Sequence, residues 1–114
     1  MSELLPPLVM PRSLAIRILH LAQIAQPAAI RGVVGARDGE PASFHLDRET
    51  PVAGESLWAE LWSHPLAPAV PEAAELHDGR LSLVVSLNTK GVLEMRAWRL
   101  MASAAQEQVL TIRD

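Results

Sequence analysis

Leu57-Trp58-Ala59-Glu60-Leu61-Trp62-Ser63-His64 runs directly into Pro65-Leu66-Ala67-Pro68-Ala69-Val70-Pro71-Glu72-Ala73-Ala74-Glu75. Strand geometry turns successive side chains to opposite faces. It predicts Trp58, Glu60, Trp62 and His64 on one face and Leu57, Ala59, Leu61 and Ser63 on the other. Pro65 ends the strand because proline has no N–H to give, and the run to Pro71 reads as a loop. Glu72 to Leu76 then predicts one short helical turn, on which Glu72 and Glu75 share a side. A strand thus delivers a histidine to a loop that returns two carboxylates.

Upstream, Leu8-Val9-Met10 predicts a first strand behind Pro6-Pro7. Pro11 suits the opening of a helix. From Arg12 to Ala25, Leu14, Ile18, Leu21, Ala22 and Ala25 fall on one helical face, widened by Ile16, Leu19 and Ile24. Pro27 stops the helix, and His20 reads as an ordinary residue within it. Ile30 to Arg37 predicts a strand whose Gly32 and Gly35 mark a bulge or a close backbone approach. Asp38-Gly39 is a hairpin signal, and Ala42 to Leu46 is the answering strand, with His45 at its surface. After Asp47 to Pro51, only Val52-Ala53-Gly54-Glu55-Ser56 precedes Leu57, too little for a helix of three turns, which needs about 11 residues.

Downstream, Leu81 to Asn88 predicts a buried strand with Leu81, Leu83, Val85 and Leu87 on one face. Thr89-Lys90-Gly91 is a turn. Val92 to Leu100 answers, with Leu93, Met95 and Ala97 facing one way and Glu94 and Arg96 the other. Gln108 to Arg113 is the last predicted strand, after a polar turn. His77-Asp78-Gly79 reads as a further turn.

The chain has 114 residues, read as one domain over 1–114. A chain of this size buries roughly two-thirds of its unfolded surface. Hydrophobic residues at 49% and charged residues at 20% argue against disorder. A net charge of −3 without a basic face disfavours a nucleic-acid partner. With no cysteine, disulfides, thiol nucleophiles and thiolate-bound zinc are excluded. No stretch is apolar for long enough to span a bilayer. Met1 to Pro7 lacks the basic start and apolar run of a signal peptide, so a cytoplasmic location and no membrane partner are expected.

The order of these segments, and above all His64-Pro65 with Pro71, resembles the metal-binding signature of the JAMM/MPN metallopeptidase family. That signature reads His-x-His-Pro, a proline seven residues beyond the second histidine, then Ser-x-x-Asp. Here Trp62 stands at the first histidine, Glu72 at the serine and Glu75 at the aspartate. The family's catalytic glutamate opens a Glu-x-x-Gly segment after the first helix. The matching segment is Ala29-Ile30-Arg31-Gly32, with Ala29 in the glutamate's place. The resemblance runs from about Leu8 to Ile112 and departs at the short connection before Leu57, where members usually carry a second helix.

A catalytic zinc needs about three N or O ligands and an open position for water. An indole N–H only donates, and alanine has no group to titrate. The resemblance therefore implies an α/β fold (α+β, of the cytidine-deaminase-like MPN type). Its mixed, curved sheet has about six strands, one long N-terminal helix and a missing or shortened second helix. It identifies the chain as a degenerate bacterial-type member with no catalytic residues and no cofactor. Such a domain would act as a protein-binding or scaffold module, as a homodimer or with another protein, through Trp58 and Trp62. A ubiquitin-like or sulfur-carrier tail could be held as an added strand. The alternative reading is an atypical zinc-dependent (iso)peptidase that trims such C-terminal tails. His64, Glu72 and Glu75 would then hold the ion, helped by His77 or Glu60.

Overall fold

Among the described residues the first element is β1 (Leu8–Pro11), which leads straight into α1 (Arg12–Ala25). The structure is a computed structural model and describes residues 6–87 and 93–114. The expected turn at Thr89-Lys90-Gly91 lies outside the described residues. Pro11 caps α1 in extended conformation, which its locked φ favours. Leu14, Ala15, Ile18 and Ala22 form the buried stripe of α1, as the 3.6-residue period requires.

Strands β2 (Arg31–Arg37), β3 (Glu40–Leu46) and β4 (Ser56–His64) follow, then a 3₁₀ turn at Ala73–Glu75. The chain continues with β5 (Ser82–Ser86), β6 (Glu94–Met101), β7 (Ala104–Gln108) and β8 (Leu110–Arg113). One six-stranded sheet has the order β3-β2-β4-β5-β6-β7. Only β4 and β5 pair in parallel within it. β1 and β8 form a separate parallel pair. No helix intervenes between β3 and β4, in keeping with the short connection there.

The sheet is covered on both sides. On one face α1 packs with Val34, Phe44, Ala59, Leu61, Leu83, Val85 and Ala97 in the main core. On the other, the connection between β4 and β5 brings Ala69 and Leu76 against Val84 and Trp98, with Trp62 at the margin. The alternation Leu83, Val84, Val85 therefore serves two cores, and every residue of β5 is buried, as expected of a strand sandwiched on both faces.

Several expectations are corrected. Asp38 (φ 52°) and Gly39 (φ 78°) both take the left-handed conformation, so the hairpin closes in two residues and β3 starts at Glu40 rather than Ala42. The last strand expected over Gln108–Arg113 is β8, starting at Leu110, and Gln108 instead ends a further strand, β7, in the segment expected as a polar turn. Ala102 (φ 51°) and Ser103 (φ 68°) make another two-residue left-handed turn, which pairs Met101 with Ala104 and builds β7. Trp58 and Trp62 do not share a face. Val34 pairs with Ala59 and Gly35 with Leu57, leaving Trp58 as the extra residue of a bulge. A bulge re-aims the side chain it carries; Trp58 packs on the main core and Trp62 on the second.

Gly32 is required by its neighbours. A methyl group there would overlap the His45 carbonyl and the Phe44 ring. Phe44 is 1% exposed and has no room to withdraw. Gly32→Ala is expected to cost about 1–3 kcal/mol by overpacking, read as a lower urea midpoint with an unchanged slope.

Candidate functional site

The loop after His64 lies across the second face of the sheet because three neighbouring strands each hold one of its carbonyls. Ser86 Oγ of β5 donates to the Ala67 carbonyl at 2.7 Å. His64 Nδ1 of β4 donates to the Pro68 carbonyl at 3.0 Å. Trp98 Nε1 of β6 donates to the Ala69 carbonyl at 3.0 Å. Ala69 is thereby fully buried.

These bonds fix the state of His64. A carbonyl can only accept, so the proton sits on Nδ1. The Trp62 indole N–H, which can only donate, points at His64 Nε2 at 3.1 Å. The imidazole is neutral, and the lone pair it could offer to a metal is engaged by the residue two positions earlier. Glu75 Oε2 lies 3.8 Å from the same Nε2, while its Oε1 accepts the backbone N–H of Glu72 at 2.9 Å. Glu72 is exposed at the entrance of the 3₁₀ turn, and Ala29 is exposed between α1 and β2. Among the described residues, no three His, Asp or Glu side chains come together as a metal-holding group. The donor set does not fit a zinc centre, which needs lone pairs aimed at one point.

The other acid–histidine pair expected near the site stands apart from it. Glu60 accepts from His77 Nδ1 at 2.8 Å and from Arg80 Nη1 at 2.5 Å. Partial burial pushes the Glu60 carboxyl upward, but the hydrogen bonds from Arg80 and His77 outweigh it and hold the group below its usual range. This pins the 77–80 turn against β4. The turn walls an open cleft of about 680 Å³ whose lining includes Arg31, Glu60, Trp62, His77 and Arg80. Trp58 borders another cleft, of about 330 Å³, with Pro7, Pro11 and Pro41.

One cluster escaped the sequence reading. Glu55, 2% exposed, accepts from Ser43 Oγ at 2.6 Å and bonds His45 Nε2 at 2.8 Å, with Arg37 Nε at 3.6 Å. His45 is thus a partner of a buried acid rather than a surface strand residue. The Ser43 hydroxyl first, then His45, hold the Glu55 carboxyl below its usual range, against the opposing effect of burial. Gly35 makes the space, since a side chain there would collide with the Glu55 carboxylate. The signals were Ser43-Phe44-His45, with both polar groups on one strand face, and the second glycine of β2. This is not a nucleophile–base pair. The Ser43 proton goes to Glu55, and His45 meets both partners through one nitrogen.

Solved structures share the fold. A protein of Desulfitobacterium hafniense, determined in solution, matches with a TM-score of 0.75 at 15% identity, over 96% of this chain and 94% of that one. A JAB1/MPN domain protein from Archaeoglobus fulgidus matches at 0.70 and 16%, over 94% and 99%. A protein from Salinibacter ruber matches at 0.64 and 20%, over 94% and 92%. At these identities the likeness shows the fold alone. No protein-family model matches the chain, and no curated protein matches it in sequence. The architecture is that of an MPN-type α/β fold, without a metal-holding cluster among the described residues.

Two outcomes follow from this geometry. In Trp62→Phe the donor to Nε2 is lost while His64, 19% exposed, stays in place. Stability should fall by about 1 kcal/mol. Long-range ¹H–¹⁵N correlation should show the Nδ1-protonated tautomer in both proteins, because the Pro68 carbonyl still holds that proton, with the Nε2 resonance shifted in the variant by loss of its donor. The second concerns acid. Glu55 has a folded-state pKa below its ordinary 4.5, so its stabilising contribution is complete above that value and is lost as pH falls through the lower folded value. Thermal midpoints of the wild type should drop on acidification below pH 4.5, and Glu55→Gln should show a shallower drop.

Proposed function

We propose that this chain is a non-catalytic MPN-like domain that works as a protein-binding or scaffold module in the cytoplasm of a bacterium, over 1–114 as one domain. The observation that carries the reading is the Trp62 N–H on His64 Nε2. A histidine kept in place but hydrogen-bonded by its neighbour serves packing and loop position rather than Lewis-acid chemistry. Trp58 and Trp62, each bordering an open cleft, are the side chains proposed to meet a partner. Aromatic side chains with one face accessible are common anchors at interfaces. The partner proposed is a second copy or another protein, including a ubiquitin-like or sulfur-carrier tail. Among the described residues no helix is long and apolar enough to cross a membrane.

The zinc (iso)peptidase reading draws on one distance, the 3.8 Å between His64 Nε2 and Glu75 Oε2. A calorimetric zinc titration of chelator-stripped protein separates the two. The proposal expects no tight one-to-one binding and no difference between the wild type and His64→Ala. Tight stoichiometric binding that disappears in His64→Ala would favour the peptidase reading and overturn the proposal.

A further inference from the structure

The two edges of the six-stranded sheet, β3 and β7, are built differently. β3 is blunted: Pro41 has no N–H to offer, and the register against β2 breaks between Gly35 and Ala36. β7 has neither proline nor lysine, and its register with β6 runs unbroken from Met101–Ala104 to Ala97–Gln108. Among the described residues β6 is the only strand hydrogen-bonded to β7. The turn at Ala102-Ser103 fixes which backbone groups stay open. In a two-residue hairpin the flanking pair, here Met101 and Ala104, is hydrogen-bonded, and bonded pairs alternate from there. Ala104, Gln106 and Gln108 therefore direct their backbone groups to β6. The N–H and C=O of Ala105 and Glu107 point away from it.

This open stretch is bounded at both ends. The turn closes one. At the other, the Val109 carbonyl already accepts the Leu8 N–H at 2.8 Å, so β1 takes over where β7 stops. An edge of this kind is a template for another strand. The strand that fits has outward groups at i and i+2 and ends where β1 begins. β7 of a second copy, running antiparallel, meets both conditions.

We infer that the chain dimerises by antiparallel pairing of β7 with β7 of a second copy, Ala105 exchanging N–H···O bonds with the partner's Glu107 and Glu107 with the partner's Ala105. The two-fold axis then passes beside Gln106, whose carboxamide both donates and accepts and so can bond its own copy. Glu107 lies opposite an alanine, and its charge is held by Arg96 of the same copy, so no uncompensated charge enters the contact. The neighbouring registers fit worse. One opposes Glu107 to the partner's Glu107, like charge against like, and offers Ala105 a Val109 carbonyl already taken. The other opposes Glu107 to the partner's Ser103, whose φ of 68° is not extended. With 5 residues in β7, the interface is short and the association belongs to the weak, concentration-dependent class. The inference goes beyond the reading above and does not rest on it. No residue of β7 lines the Trp58 or the Trp62 cleft, so pairing joins the two sheets and leaves the clefts of each copy free for another protein.

Sedimentation velocity up to millimolar concentration, together with amide exchange, tests this on the full chain. The wild type should pass from monomer to dimer and stop there. The Ala105 and Glu107 amides should exchange more slowly as the dimer fills. Ala105→Pro removes an N–H that β6 does not use and should weaken association roughly tenfold or more. The same position reads the register. Ala105→Lys faces the partner's Glu107 and should tighten the dimer, Ala105→Glu faces the same group and should loosen it, and the two should differ roughly tenfold or more. Should Ala105→Pro lose its far-UV spectrum, the charge pair and the wild-type exchange decide. A wild type that stays monomeric, growth beyond a dimer, or unchanged exchange at Ala105 and Glu107 would each overturn the inference. So would a folded proline variant that dimerises as the wild type does, or Lys and Glu variants that associate alike. None of these outcomes bears on the zinc titration, so the non-catalytic reading stands or falls separately.

Discussion

Three successive carbonyls, those of Ala67, Pro68 and Ala69, are held by side chains from three adjacent strands. Much of the second face of the sheet depends on this. A parallel pair such as β4 and β5 must be joined by a crossing connection, and a loop without its own ladder would leave backbone groups buried and unpaired. Ser86, His64 and Trp98 supply the donors instead. Because they stand on β5, β4 and β6, the loop is fixed relative to all three at once, and Ala69 and Leu76 can close the second core. The position of His64 is a consequence of that arrangement as much as a trace of chemistry.

Charge is handled in the same local way. Glu55, Glu60 and Glu107 each meet a hydroxyl, histidine or arginine partner, and all three carboxyls lie below their usual range. Glu107 is held by Arg96, which also lies 5.1 Å from the centre of the Trp98 ring. The Glu55 and Glu60 side chains, which are enclosed, need such partners; that of Glu107 is exposed. None of these groups converges with another acid, and convergence is what a metal centre would have required.

Much of the fold was legible because its determinants are local. The period of Leu14, Ile18 and Ala22 gives α1, and the Leu83–Val85 run gives a strand buried on both sides. β7 was hidden, since its turn uses Ala102 and Ser103 where the left-handed conformation usually calls for glycine or asparagine. Trp58 was misplaced for a different reason. A strict period of two carries no mark of a bulge, which arises from the pairing of β4 with β2. At the site, the exchange of a donor-only indole for a ligand at position 62 could be read directly. That its N–H would reach His64 Nε2 could not, because the contact depends on rotamers set by the loop above. Ser43, His45 and Glu55 come together only through the register of β3 and the short connection into β4, and no spacing rule announces them.

The pairing of β1 with β8 joins segments far apart in sequence, Leu8 lying beside Leu110. Gln108 Nε2 adds a bond to the Pro6 carbonyl, and the Leu8 N–H one to that of Val109. During synthesis β1 therefore has no backbone partner in this sheet until β8 has been made. Met10, fully buried in the finished core, must wait with it. Contacts between such distant residues form slowly, and an apolar strand left waiting is open to wrong partners. Until β8 is made, β1 is the segment most open to such error, and a chaperone that binds apolar nascent segments would find a target there.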